Sequence, residues 1–416
     1  MLDLKLIRED PDAVRAGMER RRLDPSAIDE VLELDARRRE LLPALEETRA
    51  SQKRAGEAIG EAKKAGQDAS AAIAESTDLK ERVRSMQADV DQVDVQLRAA
   101  LDALPNPADP SSPPEDEVLR EWGEAGKTGK DHVDLLGKMI DLETGAKVAG
   151  SRFLYLRGPV VLLELALVRW SLDILMEEGF EPVIPPVLVR EEALYGTGFL
   201  PDTEQQIYHL DTDDLYLVGT SEVPLAYIHA GEILDAGDLP RRYAGYSPCF
   251  RREAGAAGKD TRGFFRVHQF DKVEMYSFVE PSQSPAEHER LLSIEERIWQ
   301  ALEVPYRVVN IAAWDLGASA AKKYDIEAWM PGQGAYREVT STSNTTDFQA
   351  RRLDARYRPI GGGGPRHMHT LNGTAVAISR AIIAVVENGQ QEDGTIVIPE
   401  VLHSYGAPKT IEAASK

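Results

Sequence analysis

Arg251, Arg262, Arg266 and Phe270 fall in one short run, Cys249 to Glu274. Guanidinium groups grip phosphate oxygens in bidentate fashion, and an aromatic face stacks on a base. Two strands bracketing a basic, Gly-containing loop and carrying these side chains describe a nucleotide site. A plain hairpin with a solvated tip accounts for the loop but not for clustered arginines beside a ring. Further on, Asn372 to Arg380 sets small residues ahead of an arginine at a strand-to-helix turn. There the backbone can approach a ligand closely while Arg380 enters a phosphate site. Two other patterns carry no chemistry. Gly126-Lys127-Thr128 lacks the glycine that a P-loop needs five positions earlier, where Glu121 stands. His367 and His369 alternate like strand residues without a third ligand at metal spacing, so no zinc is expected.

These residues need a frame. From about residue 115 short β-like runs alternate with amphipathic helices. Val161, Leu165, Val168, Leu172 and Leu175 mark a helix closed by Gly179. The prolines of Phe180 to Arg190 demote that stretch to an edge or interface strand. Strands are expected at Leu215–Val218, Arg262–Phe270, Val273–Val279, Tyr306–Val309 and Thr395–Ile398, and a buried helix over Val376–Glu387. Helices set beside hairpin-linked strands imply an α+β fold built on an antiparallel sheet.

The amino-terminal quarter differs. Asp10-Pro11 reads as N-cap and first helical residue. Leu34, Leu41, Leu45, Thr48, Gln52, Ala55, Ile59 and Ala62 recur at coiled-coil spacing. After the Gly66 turn, Leu79, Val83, Met86, Val90, Val93, Leu97, Ala100 and Leu104 alternate steps of four and three. The pattern predicts an antiparallel coiled-coil hairpin, each arm about 60 Å long at 1.5 Å per residue. Pro105 to Pro114 holds five prolines and predicts a stiff, extended linker. The expected domains are therefore 1–104, a linker over 105–114, and 115–416.

Composition narrows the setting. A net charge of −21 argues against casual polyanion binding, so any nucleic-acid contact needs a local basic surface. The charged start MLDLKLIRED is unlike a signal peptide, and no apolar run spans a bilayer, so no membrane partner is expected. Cys249 is the single cysteine, which excludes an internal disulfide framework and fits a reducing cytoplasm.

Taken together the motifs resemble class II aminoacyl-tRNA synthetases. Phe250-Arg251-Arg252-Glu253 resembles motif 2, Gly373 to Arg380 motif 3, and Gly179 to Pro186 the dimer-forming motif 1. Thr220 to Leu225, Arg262 to Glu274, Glu338 to Asn344, His369 to Gly373 and the coiled-coil arm narrow the likeness to seryl-tRNA synthetases of the common bacterial type. Thr374 stands where many members have serine, and both supply a hydroxyl.

The resemblance implies ATP-dependent joining of L-serine to tRNA(Ser) through a seryl-adenylate, and serylation of tRNA(Sec), by a cytoplasmic homodimer. The serine carboxylate is already ionised, so the reaction rests on positioning and positive charge rather than on a general base. By resemblance, Arg251 contacts the α-phosphate, Arg380 the distal phosphates, and Phe270 stacks on adenine. Arg252, Glu253, Val267, Val339 and Thr340 join the ATP site, and Glu338 and Ser341 hold Mg2+. Thr220, Ser221, Glu222, Glu274 and Thr374 form the serine pocket. The arm binds tRNA, with Arg37, Arg38, Lys53, Arg54 and Lys63 as candidates. Two rivals start from the same motifs: an amino acid:carrier-protein ligase, and a catalytically inactive RNA-binding paralogue. The long arm separates the first, and intact Arg251, Glu338 and Arg380 separate the second.

Overall fold

The computed structural model describes residues 1–201, 206–254 and 263–414, in two compact units, Met1–Pro107 and Ala108–Lys416.

In the first unit, α1 (Leu4–Glu9) and α2 (Pro11–Arg20) precede two long helices, α3 (Ser26–Lys64) and α4 (Ser70–Ala103). The Asp10 carboxylate accepts from the Ala13 amide, and Pro11 opens α2, as the sequence implies. Along α3 and α4 the seam positions Leu45, Thr48, Ala55, Leu79, Val90, Val93 and Leu97 are buried while the residues between them stay wet. An isolated helical arm has only this stripe to bury, and the heptad spacing keeps it facing its partner. Arg38 Nε donates to Asp94 Oδ1 across the arms at 2.6 Å.

An eight-stranded sheet carries the second unit. Its strands are β1 (Glu117–Trp122), β2 (Glu181–Val183), β3 (Arg241–Phe250), β4 (Gln269–Val279), β5 (Tyr306–Asn310), β6 (Lys322–Met330), β7 (Ala335–Thr346) and β8 (His369–Ala377). They lie in the order β1-β5-β6-β7-β8-β4-β3-β2, every pairing antiparallel except β2 with β3. Proline-bearing β2 sits at the edge, where its missing amide costs no ladder bond. Helices α5 (Pro159–Glu177), α6 (Glu222–Ala226), α7 (Ser284–Ala301) and α8 (Ile378–Gly389) complete the frame. Leu163, Leu167, Ile298, Trp299, Ile382 and Ile383 join one apolar core with Val273, Met275, Val308 and Ile326 of the sheet.

Three expectations change. Residues 263–268 form turns, and the strand begins at Gln269; Arg262 lies outside the described residues. Pairing with β3 begins only at Gln269, and Gly263 at φ +78° turns the chain. Helix α8 starts at Ile378, because Val376 and Ala377 are still paired with β4. Finally, the second half of the proline segment is no free tether. The Asp109 amide donates to Ala321 O, and Pro113 O and Pro114 O accept from the Ala313 amide and Trp314 Nε1.

One buried acid is conspicuous. Glu295, on α7, is fully buried, and among the described residues neither carboxylate oxygen has a partner in good hydrogen-bond geometry. Gly373 makes room for it, since a Cβ there would stand 2.9 Å from Glu295 Oε1. Burial pushes this carboxyl well above the usual carboxylate range, so it is neutral in the fold. Above about pH 4.5 the unfolded chain releases this proton and the folded chain keeps it. Stability is then lost with rising pH, at about 1.4 kcal/mol per pH unit from this group. Glu295→Gln should remove that loss. Denaturant unfolding from pH 5 to 8 should show the variant gaining on the native chain as pH rises, and a constant difference would contradict the assignment.

Candidate active site

One face of the sheet floors a cavity of about 570 Å³. Strand alternation decides what it presents. On β4, Phe270, Lys272 and Glu274 face the cavity, while Val273 and Met275 enter the core. On β8, Asn372 and Thr374 face it. On β7 the register against β6 slips, with Ile326 opposite Thr340 and Glu327 opposite Glu338, so Val339 is the extra residue of a β-bulge. The bulge puts Glu338 and Ser341 on the same cavity-facing side although three positions separate them.

At one end stand the cations. Arg251 follows β3, its Nε donating to Gly219 O at 3.1 Å and its guanidinium lying 5.3 Å from the Phe270 ring centre. Its main chain is held twice by His268: the amide donates to His268 O, and His268 Nδ1 donates to Arg251 O at 2.9 Å. Arg380, in the first turn of α8, donates to Glu338 O at 2.9 Å and Glu338 Oε1 at 3.2 Å, and packs 4.9 Å over Phe265. Arg266 donates to Glu253 at 2.6 Å. Burial works against ionisation of Glu338, but Arg380, Lys323 and Arg251 outweigh it and hold its pKa below the usual value.

At the other end the lining is acidic. The Glu222 carboxylate, at the start of α6, accepts from Gln349 Nε2 at 2.7 Å and Asn372 Nδ2 at 3.3 Å. Glu274 accepts from Asn372 Nδ2 and Thr374 Oγ1, both at 3.4 Å, and pairs with Lys272 Nζ at 2.5 Å. Lys272 also donates to Thr220 Oγ1 at 2.8 Å. Burial, and then the neighbouring Glu274, push Glu222 up to about 7. An incoming positive charge would relieve the repulsion of the paired acids. The fully buried Cys249 thiol is pushed up by desolvation, which leaves it inert as a nucleophile.

The cavity thus gathers Thr220, Glu222, Arg251, Glu253, Val267, Phe270, Glu274, Glu338, Val339, Thr340, Ser341, Thr374 and Arg380. Two expected members lie elsewhere. Ser221 is fully buried with its hydroxyl donating to Gly245 O at 3.3 Å, packing α6 on β3. Arg252, two residues beyond the end of β3 and tied through its amide to Gln206 O, lines a neighbouring hollow with His209 and Tyr216 instead. Lys272, Asn372, Gln349 and Lys323 had no assigned role from sequence. The alternation of Lys272 with Glu274 and of Asn372 with Thr374 on neighbouring strands signals the first two; nothing local signals Gln349 or Lys323. In the first unit Arg37, Lys53, Arg54 and Lys63 are exposed, whereas Arg38 is engaged with Asp94.

Residues 1–108 match the Seryl-tRNA synthetase N-terminal domain family, and residues 207–389 the tRNA synthetase class II core domain family (G, H, P, S and T). The chain is 49% identical to the serine–tRNA ligase of Streptomyces coelicolor, covering 100% of both chains. It is 50% identical to that of Acidothermus cellulolyticus over 97% of this chain and 98% of the other. The crystal structure of seryl-tRNA synthetase from Pyrococcus horikoshii complexed with ATP superposes with a TM-score of 0.94 at 44% identity, covering 100% of both chains. That of the Naegleria fowleri cytoplasmic serine–tRNA ligase in complex with AMP gives 0.89 at 32% identity, covering 100% and 99%. With both units matched and relatives aligned end to end, the chain belongs to the seryl-tRNA synthetase family of class II aminoacyl-tRNA synthetases.

Proposed function

We propose that the chain joins L-serine to tRNA(Ser), and also to tRNA(Sec), by way of a seryl-adenylate made from ATP. The observation that carries this reading is the polarity of the single cavity, arginines and Glu338 at one end and the Glu222–Glu274 pocket at the other. In this reading the serine ammonium meets Glu222 and Thr220, and its hydroxyl meets Glu274 and Thr374. A buried pocket built to pair a hydroxyl rejects alanine, whose binding leaves those groups unpaired. The serine carboxylate then attacks the α-phosphate beside Arg251, and pyrophosphate departs toward Arg380. Phe270 stacks on adenine, with Glu253, Val267, Val339 and Thr340 around the nucleotide. The terminal adenosine hydroxyl of the tRNA attacks the adenylate in the second step.

Glu338 and Ser341 would hold Mg2+, which supplies charge neutralisation on phosphate oxygens. Among the described residues no three His, Cys, Asp or Glu side chains form a metal cluster. One carboxylate and one hydroxyl on a shared face fit an ion that draws its remaining ligands from phosphate and water. The exposed Arg37, Lys53, Arg54 and Lys63 set basic side chains along the arm for a phosphate backbone, and Arg38 steadies the hairpin through Asp94. Leu162 and Leu165 on α5, with Ile184 just past β2, leave apolar side chains open to water, which suits a homodimer interface. Among the described residues no helix is long and apolar enough to cross a membrane. With ATP and tRNA as substrates, the setting is the cytoplasm.

Exchange of labelled pyrophosphate into ATP, run across all amino acids, should depend on serine. Arg251→Ala should lower it at least 100-fold, as expected when a charge acting on the transition state is lost; unchanged exchange would remove Arg251 from the site. Serine binding should weaken as pH falls below about 7, because Glu222 takes up a proton and ceases to attract the ammonium. KM for serine measured from pH 6 to 8 should rise toward the acid side, and Glu222→Gln should flatten the profile at a high KM. Replacing Arg37, Lys53, Arg54 and Lys63 together by alanine should cut tRNA charging at least tenfold and weaken its salt dependence, while pyrophosphate exchange stays intact. Charging at the native rate would rule these residues out.

A further inference from the structure

Lys323, in the cavity wall, is given no part in substrate binding above. Lys323 lies on β6 opposite Ser343 of β7, and Asp325 lies opposite Ser341. Lys323, Ser341, Ser343 and Glu338 all line the cavity. Asp325 stands behind them, only 7% exposed. The Lys323 ammonium is 2.9 Å from Asp325 Oδ1 and 3.0 Å from Oδ2. Oδ1 has no partner in hydrogen-bond geometry, so the ammonium balances it by charge rather than by a directed bond. The same ammonium also acts on Glu338, helping Arg380 to keep that carboxylate ionised. One fixed positive charge therefore serves two carboxylates beside a serine hydroxyl.

Carboxylate and hydroxyl oxygens on neighbouring strands are the kind of donor that a hard divalent ion takes. We propose that Lys323 is a built-in cation that closes Asp325 to divalent metal, leaving Glu338 and Ser341 as the protein's one foothold for the ion that arrives with ATP. The inference rests on the reading of Glu338 and Ser341 given above. A tethered ammonium need not be captured from solution, and it stays in place when pyrophosphate leaves. Burial pushes the Asp325 carboxyl up to about 7, and the ammonium works against that rise.

The test titrates the full-length protein with Mn2+ in the absence of nucleotide, reading free Mn2+ by electron paramagnetic resonance. Lys323→Met should bind Mn2+ at least tenfold more tightly than the native chain. Adding Asp325→Asn should abolish the gain, and Lys323→Arg, which keeps the charge, should behave like the native chain. Circular dichroism and melting temperature establish that each variant folds; if Lys323→Met does not, Lys323→Gln takes its place in the titration. Equal Mn2+ affinity in the native and neutral variants overturns the proposal, and so does a gain that survives Asp325→Asn. Failure of the underlying reading shows differently: Glu338→Gln would then keep full pyrophosphate exchange, whatever the Mn2+ titration of the Lys323 variants shows.

Discussion

Two buried carboxylates, Glu222 and Glu274, repel one another at one end of the cavity, and the fold has to keep both there. In water the cost is small; in a dry pocket it is met by a proton, a fixed cation or a ligand's charge. Lys272 supplies part of the answer at 2.5 Å from Glu274, and Gln349 and Asn372 donate the hydrogen bonds that hold the Glu222 carboxylate in place. What is left over favours an incoming ammonium. The same device recurs at the far end, where Glu338 is held ionised by Arg380, Lys323 and Arg251. A single cavity thus has an anion-seeking end and a cation-seeking end. That is the arrangement an amino acid and a nucleotide triphosphate need if they are to meet.

Such an arrangement demands a stiff floor. Neighbouring strands fix the spacing of Glu274, Thr374 and Ser341 row by row, and the core beneath them is closed by Trp299, Ile382 and Ile383. The adjustments that strict alternation cannot make are made by irregularities, notably the bulge at Val339 that turns Glu338 to the same side as Ser341. Glu253 is held at φ +50°, a conformation that non-glycine residues seldom adopt, with its carboxylate anchored by Arg266.

The helical hairpin was readable because a solitary pair of helices has only one stripe to bury, so the heptads record the packing directly. The edge placement of β2 was equally plain, since Pro182 removes an amide from the ladder. Arg251, Phe270, Glu338 and Arg380 were recognisable through the motifs that hold them, and the structure draws them into one cavity. Residues 263–268 misled because Phe264, Phe265 and Val267 suggest a strand by type, whereas their burial comes from turns packed against neighbours such as His132. Ser221 and Arg252 misled for a related reason: membership of a motif says nothing of which way a side chain leaves the backbone. Gln349 was invisible because its role arises from a helix that reaches Glu222 only in the folded chain, 127 residues away in sequence.

The outermost strand carries a consequence for synthesis. Among the described residues β1 pairs with β5 alone, and Ala312 N donates to Asp116, 196 positions away in sequence. A ribosome adding about 5–20 residues per second makes that stretch in about 10–40 s. Throughout that interval Val118, Leu119 and Trp122 emerge with no ladder to join, an unpaired edge of the kind that draws chaperones or stray strands. Closing so long a loop also places this pairing late in folding. The first-made strand of the sheet therefore waits unpaired until its partner β5 has been made.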